Sequence, residues 1–368
     1  KTLGTETSYW SSIYVGEESV NFVSGSGTGS AIISSIKAYG ETGVAGGFKG
    51  QIFTETNNNL KGSFSVGRNN RASGTASLAN GLGNTASGDW SHAENGYTIA
   101  SGHYSHAEGS YTRASGAYSH AEGAATIASG AAAHAEGSST VALGVSSHAE
   151  GLYTRTLGSY SHAEGSRATS SGDFSHAEGS SSIASGIASH AEGYQTLASA
   201  PYAHAEGVAT TASATGAHAE GAQTQATMWY AHAEGSLTIA AGGASHAEGQ
   251  GTQAIGGHSH AEGSGTIALG DGSHAEGLET IASGSYQTVV GEYNALGDTT
   301  SHFIVGGGVS GSRKDAFKVT NSSSIVVAIQ TTAPSWTGVE GEMVPFVSGS
   351  VYRLYAYLGG AWRSTSFV

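Results

Sequence analysis

The triplet His-Ala-Glu returns every 14 residues, fourteen times, without an insertion or a deletion. Its histidines are His92, His106, His120, His134, His148, His162, His176, His190, His204, His218, His232, His246, His260 and His274. Its glutamates are Glu94, Glu108, Glu122, Glu136, Glu150, Glu164, Glu178, Glu192, Glu206, Glu220, Glu234, Glu248, Glu262 and Glu276. A strict short period marks a stacked repeat in which each unit contacts only its neighbours. Fourteen residues are too few for two helices but hold two short strands and two tight turns. The second strand is read in segments such as Tyr97-Thr98-Ile99-Ala100-Ser101-Gly102 and Gly265-Thr266-Ile267-Ala268-Leu269-Gly270. Stacked coils place parallel, in-register strands about 4.8 Å apart, so the fourteen copies span roughly 65 Å.

Side chains alternate across a strand, so Ala93 faces one way while His92 and Glu94 face the other. In the second strand Thr98 and Ala100 share a face and Ile99 opposes them. With the small residues inward, the interior holds only Ala, Thr, Ser and Gly, and the roll is thin. Burial of alanine methyls at about 25 cal/mol per Å² hardly offsets backbone ordering of about 1 to 2 kcal/mol per residue, so a lone chain is expected to be marginal and association to contribute. The Ile99 column changes to Arg113, Arg155, Gln225 and Gln253, as a solvent face does, whereas the His and Glu columns never change. This constancy is what a threefold centre would impose, so the His/Glu ladder is assigned to the axis of a homotrimer and the Ile99 column to the outside.

Composition agrees with a thin roll: 58 glycines, 3 prolines and 11% charged residues among 368. The net charge of -14 and 14 scattered Lys and Arg argue against nucleic-acid binding and against an anionic membrane surface. No apolar run reaches the length of a membrane span, and no cysteine is present. The chain begins at Lys1 without a signal-like segment and is read as a processed product or a fragment.

These residues resemble the head repeats of trimeric autotransporter adhesins, whose 14-residue coils carry a Ser-Val-Ala-Ile-Gly-like strand, and the related rolls of bacteriophage tail and collar fibres. The flanking segments Ser63-Phe64-Ser65-Val66-Gly67, Ser77-Leu78-Ala79-Asn80-Gly81 and Gln287-Thr288-Val289-Val290-Gly291 keep the same phase and match that form better than the array does. The resemblance covers residues 63 to 306. It implies an all-β fold, a left-handed parallel β-roll of 14-residue coils packed three to an axis, with two aliphatic positions directed to the shared core. The array departs from it, with His in place of Val and Glu in place of Ile. The implied setting is extracellular, as a virion fibre or on a bacterial cell surface, with a cell-surface glycan or protein receptor as partner. The alternatives are a bacterial surface adhesin passenger and a filament subunit with no receptor.

The organisation expected is an irregular β or connector region over 1–62, with short runs such as Ser12-Ile13-Tyr14-Val15 and Ser30-Ala31-Ile32-Ile33, the roll over 63–306, a cap over 307–320 and an antiparallel β-meander tip over 321–368. At the tip, Trp336, Tyr352, Arg353, Tyr355, Tyr357, Trp362 and Arg363 form the densest aromatic and basic cluster. Such residues are favoured at binding hot spots and are also needed by a small β core. Groups copied fourteen times are not a catalytic arrangement, which is normally unique and set in a differentiated pocket, so no enzyme and no cofactor are implied. An imidazole-carboxylate hydrogen-bond ladder that fixes register is the expected role. Metal is not expected, and the single His-x-His, at His258 and His260, is the pattern that in some phage fibres binds iron on the axis. Turn aromatics at Trp90, Tyr104, Tyr118, Tyr160, Phe174, Tyr202 and Tyr230 fit either a carbohydrate-stacking stripe or shielding of neighbouring turns. The Thr98 column is read as inward-facing rather than as an ice-binding face. Gly306 to Gly311 is no phosphate loop, since Ser312 stands where the lysine should follow.

Overall fold

Each coil is built from two unequal strands. The longer is typified by His134–Ser138 and the two-residue one by Val141–Ala142. The longer strands begin at Phe64–Arg68 and repeat to Thr288–Glu292, giving about 17 coils. The two-residue strands run from Arg71–Ala72 to Ile281–Ala282 and form a separate 16-stranded sheet. The computed structural model describes residues 62–335 and 337–367, and among them there is no helix. The segments at 12–15 and 30–33, and Trp336, lie outside the described residues.

Pairing is parallel and in perfect phase: His134 opposes His148, Ala135 opposes Ala149 and Glu136 opposes Glu150. The flanking segments share that phase, with Leu78 opposite His92, Asn80 opposite Glu94 and Thr288 opposite His274. Ala93, Ala100, Thr98 and their equivalents are fully buried, and Ile99 is exposed, as the alternation predicted. Aliphatic bulk enters the described interior only near the C-terminal end, with Val289 and Ile304.

The turns explain how a coil closes in so few residues. One glycine column, represented by Gly123 (φ +101°), lies in the left-handed region, and a Cβ there would meet the carbonyl oxygen of Gly137 at 2.1 Å. The second turn is closed by serine: Ser105 donates both its N–H (3.3 Å) and its hydroxyl (2.7 Å) to the Gly102 carbonyl. Non-glycine residues also take left-handed backbone at two positions of most coils, for example Tyr104 (φ 55°) and Tyr111 (φ 59°). That conformation aims Tyr104 N–H at the Asp89 carbonyl (2.9 Å) and Tyr111 N–H at the Gly96 carbonyl (2.9 Å). The turns are thereby stitched to the preceding coil, and the ladder offsets the local strain.

The roll ends by breaking its own rules. Thr288 pairs with Phe303, one residue beyond the period, on strand Ser301–Gly307. Asp315–Thr320 then returns antiparallel, followed by Ile325–Val327. Gln287 stands in the serine column and plugs the end, its amide donating to the carbonyls of Asp298 (2.9 Å) and Ser301 (2.8 Å). Asp298 accepts from the N–H groups of Thr300 and Ser301, the Ser301 hydroxyl (2.7 Å) and Lys318 Nζ (2.9 Å). Desolvation would raise the Asp298 pKa, but these donors together outweigh it and hold the carboxyl well below the usual range. The tip is a three-stranded antiparallel sheet of Met343–Ser348, Val351–Leu358 and Ala361–Phe367.

Candidate functional site: the histidine and glutamate face

Because each coil repeats the last in register, the fourteen imidazoles form one column and the fourteen carboxylates a second beside it. Adjacent rings lie 4.6 to 5.0 Å apart. His92, His106, His120, His134 and His148 are nearly coplanar in stacking, with interplanar angles of 3 to 8°. The stack breaks at His148 and His162, which meet at 69°. Both columns are half-exposed along most of their length in the single chain.

Within one chain the ladder is not a hydrogen-bond ladder. Imidazole Nε2 atoms other than that of His148 stand 3.4 to 4.0 Å from carboxylate oxygens, and all fourteen Nε2 atoms are buried without a hydrogen-bond partner. Burial first, and neighbouring imidazoles second, hold the pKa of His134, His148, His176, His204, His218 and His232 below 6.5, while the adjacent glutamates pull the other way. At these six positions desolvation and the neighbouring imidazoles outweigh the carboxylates.

Carboxylates sit in two arrangements that sequence reading missed, since every repeat has the same triplet. Glu94, Glu234 and Glu262 each lie between the imidazoles of two successive coils. In contrast Glu178, Glu192, Glu206 and Glu220 contact only the imidazole of their own coil and project further into solvent, at 46 to 51% exposure. An open trough of about 380 Å³ runs along Glu248, Glu262 and Glu276 and the glycines that follow them.

Beyond Asn80 before the glutamates and Thr288 after the histidines, the residues that flank the columns on this face are apolar. Phe64 and Leu78 precede the histidines and Phe303 follows them, while Val66 heads the glutamate column and Val290 and Val305 close it. Phe64 and Val66 are 45% and 44% exposed.

The other candidates separate. His258 is exposed on a turn, edge-on to Trp229 at 6.1 Å, whereas His260 belongs to the stack, so the His-x-His residues do not converge. The turn aromatics form short stacks, Trp90 with Tyr104 and Tyr118, then Tyr160 with Phe174, and are exposed. The threonine column is interior, which removes an ice-binding face. Its hydroxyls are mostly unpaired: Thr98 donates to the Glu94 carbonyl at 3.1 Å, but Thr112, Thr126 and most later ones have no partner. At the tip, Tyr357 packs edge-on against Trp362 at 5.3 Å and Phe346 against Tyr355 at 5.5 Å, so part of the aromatic cluster is internal packing. Tyr352 and Arg353 instead line a groove of about 200 Å³ with Ile329, Pro345, Phe346 and Leu354, and Arg353 Nε there has no hydrogen-bond partner. Arg363 is exposed, with Nε 3.3 Å from the Leu358 carbonyl.

The fold and this face define a parallel β-solenoid with one chemically uniform side. No protein-family model matches the sequence, and no curated protein matches it significantly.

Proposed function

We propose that three copies of this chain pack their His/Glu faces around a common axis, as left-handed rolls, to form an extracellular attachment fibre that carries the C-terminal tip to a cell-surface glycan or protein receptor, in the manner of a phage tail fibre. The observation that carries this reading is the composition of the face. Its polar columns never vary, its ends are apolar side chains such as Phe64 and Val66 left half-exposed, and the Nε2 atoms between are buried and unpartnered. A second copy would cover the apolar side chains that flank the face and exclude water from the imidazoles and carboxylates between them. The interior of alanine, threonine and serine supports the same need, because a coil this thin buries little apolar surface of its own.

The Tyr352–Arg353 groove is the receptor-facing feature of choice on the tip, since it joins an apolar wall to an exposed tyrosine and an arginine. Light scattering should return three times the 36.8 kDa chain mass. On a glycan array the intact fibre should bind and a chain ending after Ala328 should not, with the same oligomeric mass. A monodisperse single-chain particle overturns the trimer, and equal binding by the truncated fibre overturns the tip.

A further inference from the structure

We propose that the His/Glu face chelates divalent transition-metal ions, each held by two imidazoles from successive coils and the carboxylate between them. All three ligands come from one chain, so no part of the site is supplied by a second copy, although the face is the one that the proposed trimer packs around its axis.

The geometry is clearest at three carboxylates. The two carboxylate oxygens face one imidazole each: Glu94 Oε2 has His92 Nε2 at 3.8 Å and Oε1 has His106 Nε2 at 3.5 Å; Glu234 Oε2 has His232 at 3.9 Å and Oε1 has His246 at 3.6 Å; Glu262 Oε2 has His260 at 3.8 Å and Oε1 has His274 at 4.0 Å. In each trio every ligand atom lies within 4.8 Å of the others. Metal-ligand bonds of about 2.0 to 2.2 Å place tetrahedral ligand atoms roughly 3.4 Å apart. The nitrogen-oxygen spacings therefore need a few tenths of an ångström, and the two imidazoles, fixed one coil apart by the backbone, close the remainder by rotating toward each other.

A second observation points the same way. Nε2 of every histidine in the column is buried and makes no hydrogen bond. An imidazole nitrogen left in that state costs free energy, and in the Nδ1–H tautomer it offers a lone pair that zinc, nickel or copper takes readily. Two histidines and one glutamate leave a coordination position for water, and the trough beside Glu262 gives an ion a route in from solvent. Fourteen histidines taken two at a time limit the load to seven ions per chain, and the three bracketed carboxylates set the tightest class.

Titrating the full chain with zinc chloride at pH 7.5, followed calorimetrically, should give between three and seven ions per chain. X-ray absorption of the zinc-loaded protein should show two imidazole nitrogens and carboxylate oxygen around each ion. The triple variant Glu94→Gln, Glu234→Gln and Glu262→Gln keeps side-chain shape. It should lose the three tightest ions with an unchanged far-ultraviolet circular dichroism spectrum, and His258→Ala should leave the load intact. No uptake at millimolar zinc, a single ion lost with His258→Ala, an oxygen-only coordination shell, or an unaltered titration by the folded triple variant each overturns the proposal. Light scattering on the same samples reports the chain number independently, so the fate of the trimer is read separately.

Discussion

Two residue types carry the coil in opposite ways. Glycine is required where coils nearly touch: at Gly123 the backbone is left-handed and the next coil's carbonyl occupies the space a side chain would need. Gly123→Ala should therefore cost on the order of 3 kcal/mol, read as a lowered denaturant midpoint. A midpoint within 0.5 kcal/mol of the parent would show that the stack yields locally. Asn95, which fills the same column at φ 75°, is the exception that chemistry allows, since asparagine visits this region more readily than other side chains. Histidine works through its proton. In the six shifted residues the folded form binds a proton less tightly than the unfolded chain, whose value is near 6.5. Their contribution is complete above that pH and is lost as pH falls through 6.5 toward the lower folded value. The melting temperature should thus fall from pH 8 to pH 5, and a flat or rising profile contradicts a desolvated column.

At the scale of the coil, the two halves are pseudo-equivalent at a spacing of seven: Ala93 and Ala100 both point inward, and Tyr97 and Tyr104 are both left-handed. Removing residues 162–175 takes out one whole coil and joins equivalent backbones, so the melting temperature should move by no more than about 5 °C. Removing residues 162–168 exchanges the halves, sends the later His/Glu columns to the opposite side, and should abolish the single oligomer that the trimer proposal expects by light scattering. Retention of one discrete oligomer after the half-coil deletion would detach assembly from that face. The cap invites a different experiment. Asp298 is depressed, so its contribution is present above the ordinary carboxylate value near 3.8 and fades as pH falls below it. Asp298→Asn should lower stability by about 1 to 3 kcal/mol at pH 7 and flatten the acid limb of the curve; an unchanged acid limb removes Asp298 from the cap's account. Period and alternation made the inward alanines and threonines, the outward Ile99 column and the paired His/Glu columns legible beforehand. What stayed hidden depends on contacts at fourteen residues' distance or on broken phase. The left-handed tyrosines contradict local preference and are explained only by the carbonyl of the coil before. The extra residue between Val289 and Ile304 and the plug formed by Gln287 lie outside any repeat, and identical triplets gave no hint that Glu94 and Glu192 would sit differently.

For the molecule as a whole, the interior is uniform and the extremities are not. Asparagine heads the threonine column at Asn70 and Asn84 and closes it at Asn294, while Gln287, Asp298 and Ile304 finish the C-terminal side. The tip joins the roll through a short link in which Gln330 bonds Pro345 and Val347, so a truncation beyond the last roll strand should leave the melting transition of the roll within about 5 °C of the parent. A large shift would mean that the tip braces the roll. The in-phase pairing has a further outcome for assembly: any coil fits above any other, so three chains aligned by the array alone could slip past one another by whole coils at little penalty. Only the singular ends carry an address. In such an assembly alignment would be set there and propagated inward, and the roll would lengthen or shorten through gain or loss of whole coils without altering the singular residues at its ends.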